Sequence, residues 1–124
     1  MRRLVALVVC AAAVTIAAIA TAKTPPSTPA LLATGKATFE GSASGCVACH
    51  GLTGEGNGPV AFALKPPPRN FTKDPFKAGE SVEQVFATIT NGLPNTAMAS
   101  FSKQLTDDQR WALAYYVLSF RPKK

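Results

Sequence analysis

Cys46-Val47-Ala48-Cys49-His50 is the stretch on which the reading of this chain turns. Two thiols three positions apart fall on one side of a single helical turn, with an imidazole directly after the second. That spacing suits covalent haem attachment. Each thiol can add to one of the two vinyl groups, and the imidazole is then held under the ring as an axial nitrogen. His50 is the one histidine in the chain. Other chemistries share part of the pattern. A thiol–disulfide redox motif calls for a strand–turn–helix context of the βαβ kind, whereas the flanks here read as Gly-rich loop and helix. Two Cys and one His would leave a zinc site short of a fourth ligand of the usual kind. A structural disulfide would suit an exported chain. The five-residue pattern together with an export signal favours haem.

The export signal lies upstream. Met1-Arg2-Arg3 is a positively charged start, Leu4 to Ala20 is an apolar run, and Ala20-Thr21-Ala22 is a small-x-small cleavage pattern. Residues 1–22 read as a secretory leader, with an uncleaved membrane anchor as the alternative, since the run is near the lower limit for a spanning helix. Cys10 is a poor lipidation site, because bulky Val9 precedes it within the apolar run. Leader removal leaves about 100 residues, near the low end of what one core stabilises unaided. Without Arg2 and Arg3, the thirteen basic residues fall to eleven, against seven acidic. That mild positive balance excludes a nucleic-acid surface, for which no Lys/Arg block is dense enough. It fits an exported protein, placed in a periplasm, that meets acidic partners briefly.

Downstream, ten prolines and nine glycines exclude a long coiled coil or simple bundle. Residues 23–28 read as a flexible lead-in before a domain spanning 29–124. Thr28 followed by Pro29 predicts a helix start, and the helix runs to about residue 40 with Leu31, Leu32 and Phe39 apolar. The Gly, Pro and Asn content of 51–80 predicts mostly loop. Ser81 with Gln84, and Thr106 with Gln109, are capping boxes. They predict helices over about 81–91, stopped by Asn91-Gly92, and from 106 to about Phe120, closed by Pro122. No period-2 strand pattern and no internal repeat is present. The fold class predicted is all-α, with three or more short helices around one haem.

With one histidine, two-histidine ligation by this chain is excluded. Met98 is the one methionine besides Met1 and lies in a loop, Asn91 to Phe101. A lone loop Met is ordinarily a gap-filler. Downstream of a haem motif it is a candidate axial sulfur, whose softness would stabilise ferrous iron.

Taken together, Gly35, Phe39, Cys46-Val47-Ala48-Cys49-His50, Gly58-Pro59, the Met98 loop and the aromatic last helix resemble the class I c-type cytochromes over nearly all of residues 30–121. The resemblance implies a cytochrome c fold and one haem c attached through Cys46 and Cys49, with His50 and Met98 on the iron. It implies a one-electron carrier rather than an enzyme, meeting redox-partner proteins through a transient interface. Membrane contact would arise only through an uncleaved leader. A subunit of a larger respiratory or dehydrogenase complex and a haem protein with an open distal site are the alternatives. The resemblance further pairs Gly35 and Phe39 with Leu113 and Tyr116 of the last helix. It makes Pro59 the residue whose carbonyl accepts the imidazole N–H. Ala99 stands where the family often has Pro, which predicts a freer Met98 loop. Pro66-Pro67-Pro68-Arg69-Asn70-Phe71 resembles a proline-rich stretch of some of these cytochromes. It would wall the haem edge, with Arg69 facing a propionate or simply solvated. Trp111, Tyr115 and Phe120 read as core. Lys65, Lys73, Lys77 and Lys103 are either a steering ring or scattered solvated charges.

Overall fold

The computed structural model describes residues 23–123; the expected leader, residues 1–22, lies outside them. Four α-helices follow in order: α1 (Pro29–Glu40), α2 (Cys46–His50), α3 (Val82–Asn91) and α4 (Asp107–Ser119). No strand occurs among the described residues.

The helix starts are written in local hydrogen bonds. The Thr28 side chain accepts the N–H of Leu31, and Pro29 opens α1, where its missing N–H costs nothing. Both expected capping boxes form. The Gln84 N–H donates to Ser81 Oγ at 3.1 Å while the Ser81 N–H donates to Gln84 Oε1 at 3.0 Å. Thr106 and Gln109 repeat the exchange at 3.2 and 2.9 Å. Asp107 and Asp108 lie in the first turn of α4, at the positive end of the helix dipole. The 51–80 segment departs from the loop expectation at Ala61–Ala63, a single 3-10 turn. It is closed by the Ala61 N–H on Gly58 O and the Leu64 N–H on Ala61 O, and is too short to leave a periodic signal.

α1 crosses α4 at Gly35. A Cβ built there would stand 2.2 Å from the Ala112 carbonyl oxygen and 2.7 Å from Tyr116 Cβ, so only hydrogen fits. One turn on, Phe39 is 1% exposed and meets the ring of Tyr116 edge-on at 5.3 Å. Tyr116 thus answers to both α1 residues, as the resemblance implied. Leu113 shares the core with Phe39, Val85, Ile89 and Val117. Gly35→Ala is expected to destabilise the fold by about 3 kcal/mol, the upper part of the usual range for overpacking a tight site. The check is the urea midpoint at unchanged slope; an unchanged midpoint would contradict the close crossing.

The α3–α4 seam is built differently. Trp111 stacks on Phe86 with centroids 3.8 Å apart, and the Arg110 guanidinium lies 5.5 Å from the other ring partner, Phe86. Arg110 is buried. It donates to the Leu105 carbonyl at 3.1 Å and pairs with the Asp107 carboxylate. Trp111 is accordingly a packing residue.

The lead-in differs from expectation. Tyr115 donates its hydroxyl proton to the Pro25 carbonyl at 2.6 Å, and Thr24 Oγ1 donates to Glu83 Oε1 at 2.8 Å. Both partners come from far along the chain, so the lead-in residues themselves carry no trace of the restraint. Tyr115 is therefore half-buried and tied by its hydroxyl rather than simply immersed in the core. Behind α4, Arg121 lies over Phe76 at 4.3 Å, donates to the Asp74 carbonyl and pairs with Glu80. The end of the chain thereby holds segment 71–80 in place.

Candidate functional site

α2 is one helical turn bracketed by Gly45 and Gly51. The turn before it is fixed by Ser44, whose hydroxyl lies 2.6 Å from the Thr38 carbonyl and 3.0 Å from that of Gly41. One turn suffices to bring Cys46, Cys49 and His50 to the wall of a single cleft. That cleft encloses about 1220 Å³, counting the solvent at its mouth. Apart from these three residues and Met98, its lining is mainly apolar, including Phe39, Val85, Ile89, Leu113 and Val117.

Cys46 and Cys49 are free thiols. Burial pushes the Cys46 thiol above its ordinary range, with a hydrogen bond from Ser44 opposing. A thiol held protonated is the opposite of the low-pKa nucleophile that disulfide exchange employs.

Burial likewise holds His50 below the ordinary imidazole value, opposed by its contact with the Arg69 carbonyl. Nδ1 stands 3.2 Å from that oxygen. A carbonyl only accepts, so the bond requires the proton on Nδ1 and leaves the Nε2 lone pair available. Here the structure corrects the expectation for Pro59. The oxygen that faces the imidazole belongs to Arg69, while Pro59 is exposed and does not line the cleft. The reason lies in the loop path. The chain passes Pro59, makes the 3-10 turn, and only then returns as the Pro66–Phe71 strap alongside α2.

The strap walls the cleft through Pro66, Pro67, Pro68, Arg69 and Phe71, as its stiffness suggested. Arg69 is half-buried on that wall and has no carboxylate partner among the described residues. Phe71 does more than share in that wall. Its ring stacks on His50, with centroids 4.3 Å apart and planes 22° from parallel. The signal available was its place two residues beyond Arg69. Of the four lysines considered, Lys77 lines the cleft, and Lys65, Lys73 and Lys103 are exposed elsewhere.

Met98 is half-buried, packs against the core and lines the same cleft. Its loop is tied by short-range bonds. The Leu93 N–H donates to the Met98 carbonyl at 3.0 Å, the Met98 N–H donates to Thr96 Oγ1 at 3.1 Å, and the Thr96 hydroxyl donates to the Leu93 carbonyl at 2.9 Å. Gly92 makes room for this closure. Its φ is +72°, and a Cβ there would stand 2.7 Å from the Met98 carbonyl oxygen. These bonds supply restraint that a proline at position 99 would otherwise give.

Two thiols, an imidazole with a free Nε2 and a thioether, gathered in one apolar cleft, form a donor set that fits a covalently held haem. Among the described residues no three His, Cys, Asp or Glu side chains cluster as a metal site.

The family whose profile matches residues 30–117 is cytochrome c oxidase, cbb3-type, subunit III. A chain of the reducing HAO-like protein complex of Kuenenia stuttgartiensis is 36% identical with a TM-score of 0.74, over 82% of this chain and 48% of that one. The present chain thus spans about half the length of that relative. Cytochrome c6 from the diatom Phaeodactylum tricornutum is 25% identical with a TM-score of 0.53, over 71% of this chain and 91% of that one. Among curated proteins no sequence matches this chain.

Proposed function

We propose that this chain, which belongs to the cytochrome c oxidase cbb3-type subunit III family of c-type cytochrome domains, attaches one haem c through Cys46 and Cys49 and ligates its iron with His50 and Met98. Haem electron transfer, rather than enzymatic turnover, is the work of the family and its cytochrome c fold. The observation that carries the residue assignment is the convergence of both thiols, the imidazole and the thioether on one cleft. When bound, haem supplies a one-electron iron centre. The chain's own part is to keep the thiols on one turn, to hold the His50 proton on Nδ1 through Arg69, and to shield the cleft with apolar side chains. With His50 and Met98 both holding the iron, no position would stay open, which would suit an electron carrier. Arg69, which lines the cleft, would pair with a haem propionate.

Residues 1–22 are proposed as the export leader and 29–124 as the cytochrome domain, which places the protein in a periplasm. No helix among the described residues is long and apolar enough to cross a membrane. The Kuenenia relative belongs to a protein complex, which favours a second reading of this chain as the electron-transfer part of an assembly rather than a free shuttle.

The test is the intact mass and absorption spectrum of the protein matured in a host able to attach haem. One haem per chain, a low-spin spectrum and a sulfur–iron charge-transfer band are expected. Ready binding of carbon monoxide would instead show an open site. A colourless protein with reversible thiol–disulfide exchange would end the haem reading.

A further inference from the structure

We propose that Phe71 is a positioning residue for His50: its ring, lying on the face of the imidazole, sets the plane in which Nε2 is presented. The proposal rests on the reading of His50 as the axial nitrogen.

A single hydrogen bond acts as a hinge. The Nδ1–H bond to the Arg69 carbonyl fixes where one corner of the imidazole points. It leaves the ring able to rock about the line joining the two atoms. A flat neighbour on the ring face removes that freedom, and Phe71 is such a neighbour at 4.3 Å and 22°. Phe71 is itself held. Its N–H donates to the Gly54 carbonyl at 2.7 Å, its side chain is buried, and Phe39, Phe76 and Phe120 surround its ring at 5.6 to 6.4 Å. Just beside it, Asn70 Oδ1 accepts from the N–H and hydroxyl of Thr72, while the Asn70 N–H donates to the Asp74 carboxylate. That turn stiffens the strap at the point where it carries both restraints. Arg69 and Phe71 therefore act on the imidazole from one braced segment, the first along its N–H direction and the second across its plane.

The orientations of the two axial ligands together select which iron d orbital carries the unpaired electron of a ferric low-spin haem. With Met98 unaltered, a change in the spread of that spin over the haem methyl groups reports a turn of the imidazole. A residue that merely fills the core changes stability without changing that spread. Phe120 serves as the control, because it packs against Phe71 at 6.0 Å, does not line the cleft, and its ring makes no aromatic contact with His50 among the described residues.

The experiment compares proton NMR spectra and reduction potentials of the ferric holoprotein with Phe71→Leu and Phe120→Leu. Phe71→Leu is expected to stay low-spin while the order or spread of its hyperfine-shifted methyl resonances changes and its potential moves. Phe120→Leu is expected to keep the methyl order of the unmodified protein. An unchanged pattern and potential in Phe71→Leu would overturn the proposal, as would the same change in Phe120→Leu. Should Phe71→Leu not fold, nuclear Overhauser contacts between the Phe71 and His50 ring protons in the ferrous unmodified protein decide: contacts support the proposal, and their absence overturns it. Failure of the ligand reading is separately visible, because the unmodified ferric protein would then show no hyperfine shift on the His50 ring.

Discussion

No colour is expected to remain on the polypeptide after denaturation once Cys46→Ala and Cys49→Ala are combined, whereas either change alone should leave the pigment attached by one bond. Both thiols lie on the one turn of α2 and line the cleft, so each can reach its own vinyl group while the other is already joined. Loss in the double variant is all or nothing, which makes it a large effect and a simple one to read. A haem stain of a denaturing gel, alongside intact mass, is the measurement. There is a second consequence for stability. A covalently joined cofactor cannot be lost on dilution. A free one contributes only by mass action, about 2.7 kcal/mol at a hundred times its Kd. The melting temperature of the double variant should therefore depend on added haem, and that of the unmodified protein should not. Pigment retained by the double variant would show that the attachment lies elsewhere.

Met98→Ala is expected to lower the reduction potential, abolish the sulfur–iron charge-transfer band and admit carbon monoxide and cyanide to the iron. Thioether sulfur is a soft donor that favours ferrous iron, so its loss stabilises the ferric state. The methionine also packs against the core, and truncating it should cost about 2 kcal/mol, the low end for a large-to-small change because the residue is half-buried. Met98→Leu separates the two effects. It keeps most of the volume and should recover most of the stability, yet it lacks sulfur and should show the same spectral and redox change. A spectrum and potential unaltered in both variants would remove Met98 from the iron and leave the loop bonds around it as packing alone.

What the chain of letters disclosed about the fold was governed by how local each cause is. Thr28-Pro29, Ser81 with Gln84, and Thr106 with Gln109 act within one turn, and the helices begin where these residues place them. Cys46, Cys49 and His50 are likewise neighbours, so their shared cleft follows from one short helix. Causes that act at a distance were less legible. The acceptor for His50 comes from a strap nineteen residues on. Which carbonyl of that strap arrives there is decided by the route of the intervening loop. Phe71 meets the imidazole by the same route. The hold of Tyr115 on Pro25 spans ninety residues, and a lead-in of six polar and proline residues offers no sign of it. Burial of Arg110 was hidden for a related reason: its partners, the Leu105 carbonyl and the Asp107 carboxylate, are close in sequence, but they cover it only once α3 lays Phe86 over the guanidinium.

The Gly35 crossing bears on the order of events in the cell. A polypeptide is made from its N-terminus, and the surface that α1 closes upon belongs to α4, which is made well after it. Until Asp107–Ser119 has emerged, Gly35 and Phe39 have no counterpart, and the turn bearing Cys46, Cys49 and His50 belongs to an unfinished chain. Docking of α4 then completes the cleft, to whose wall it brings Leu113 and Val117.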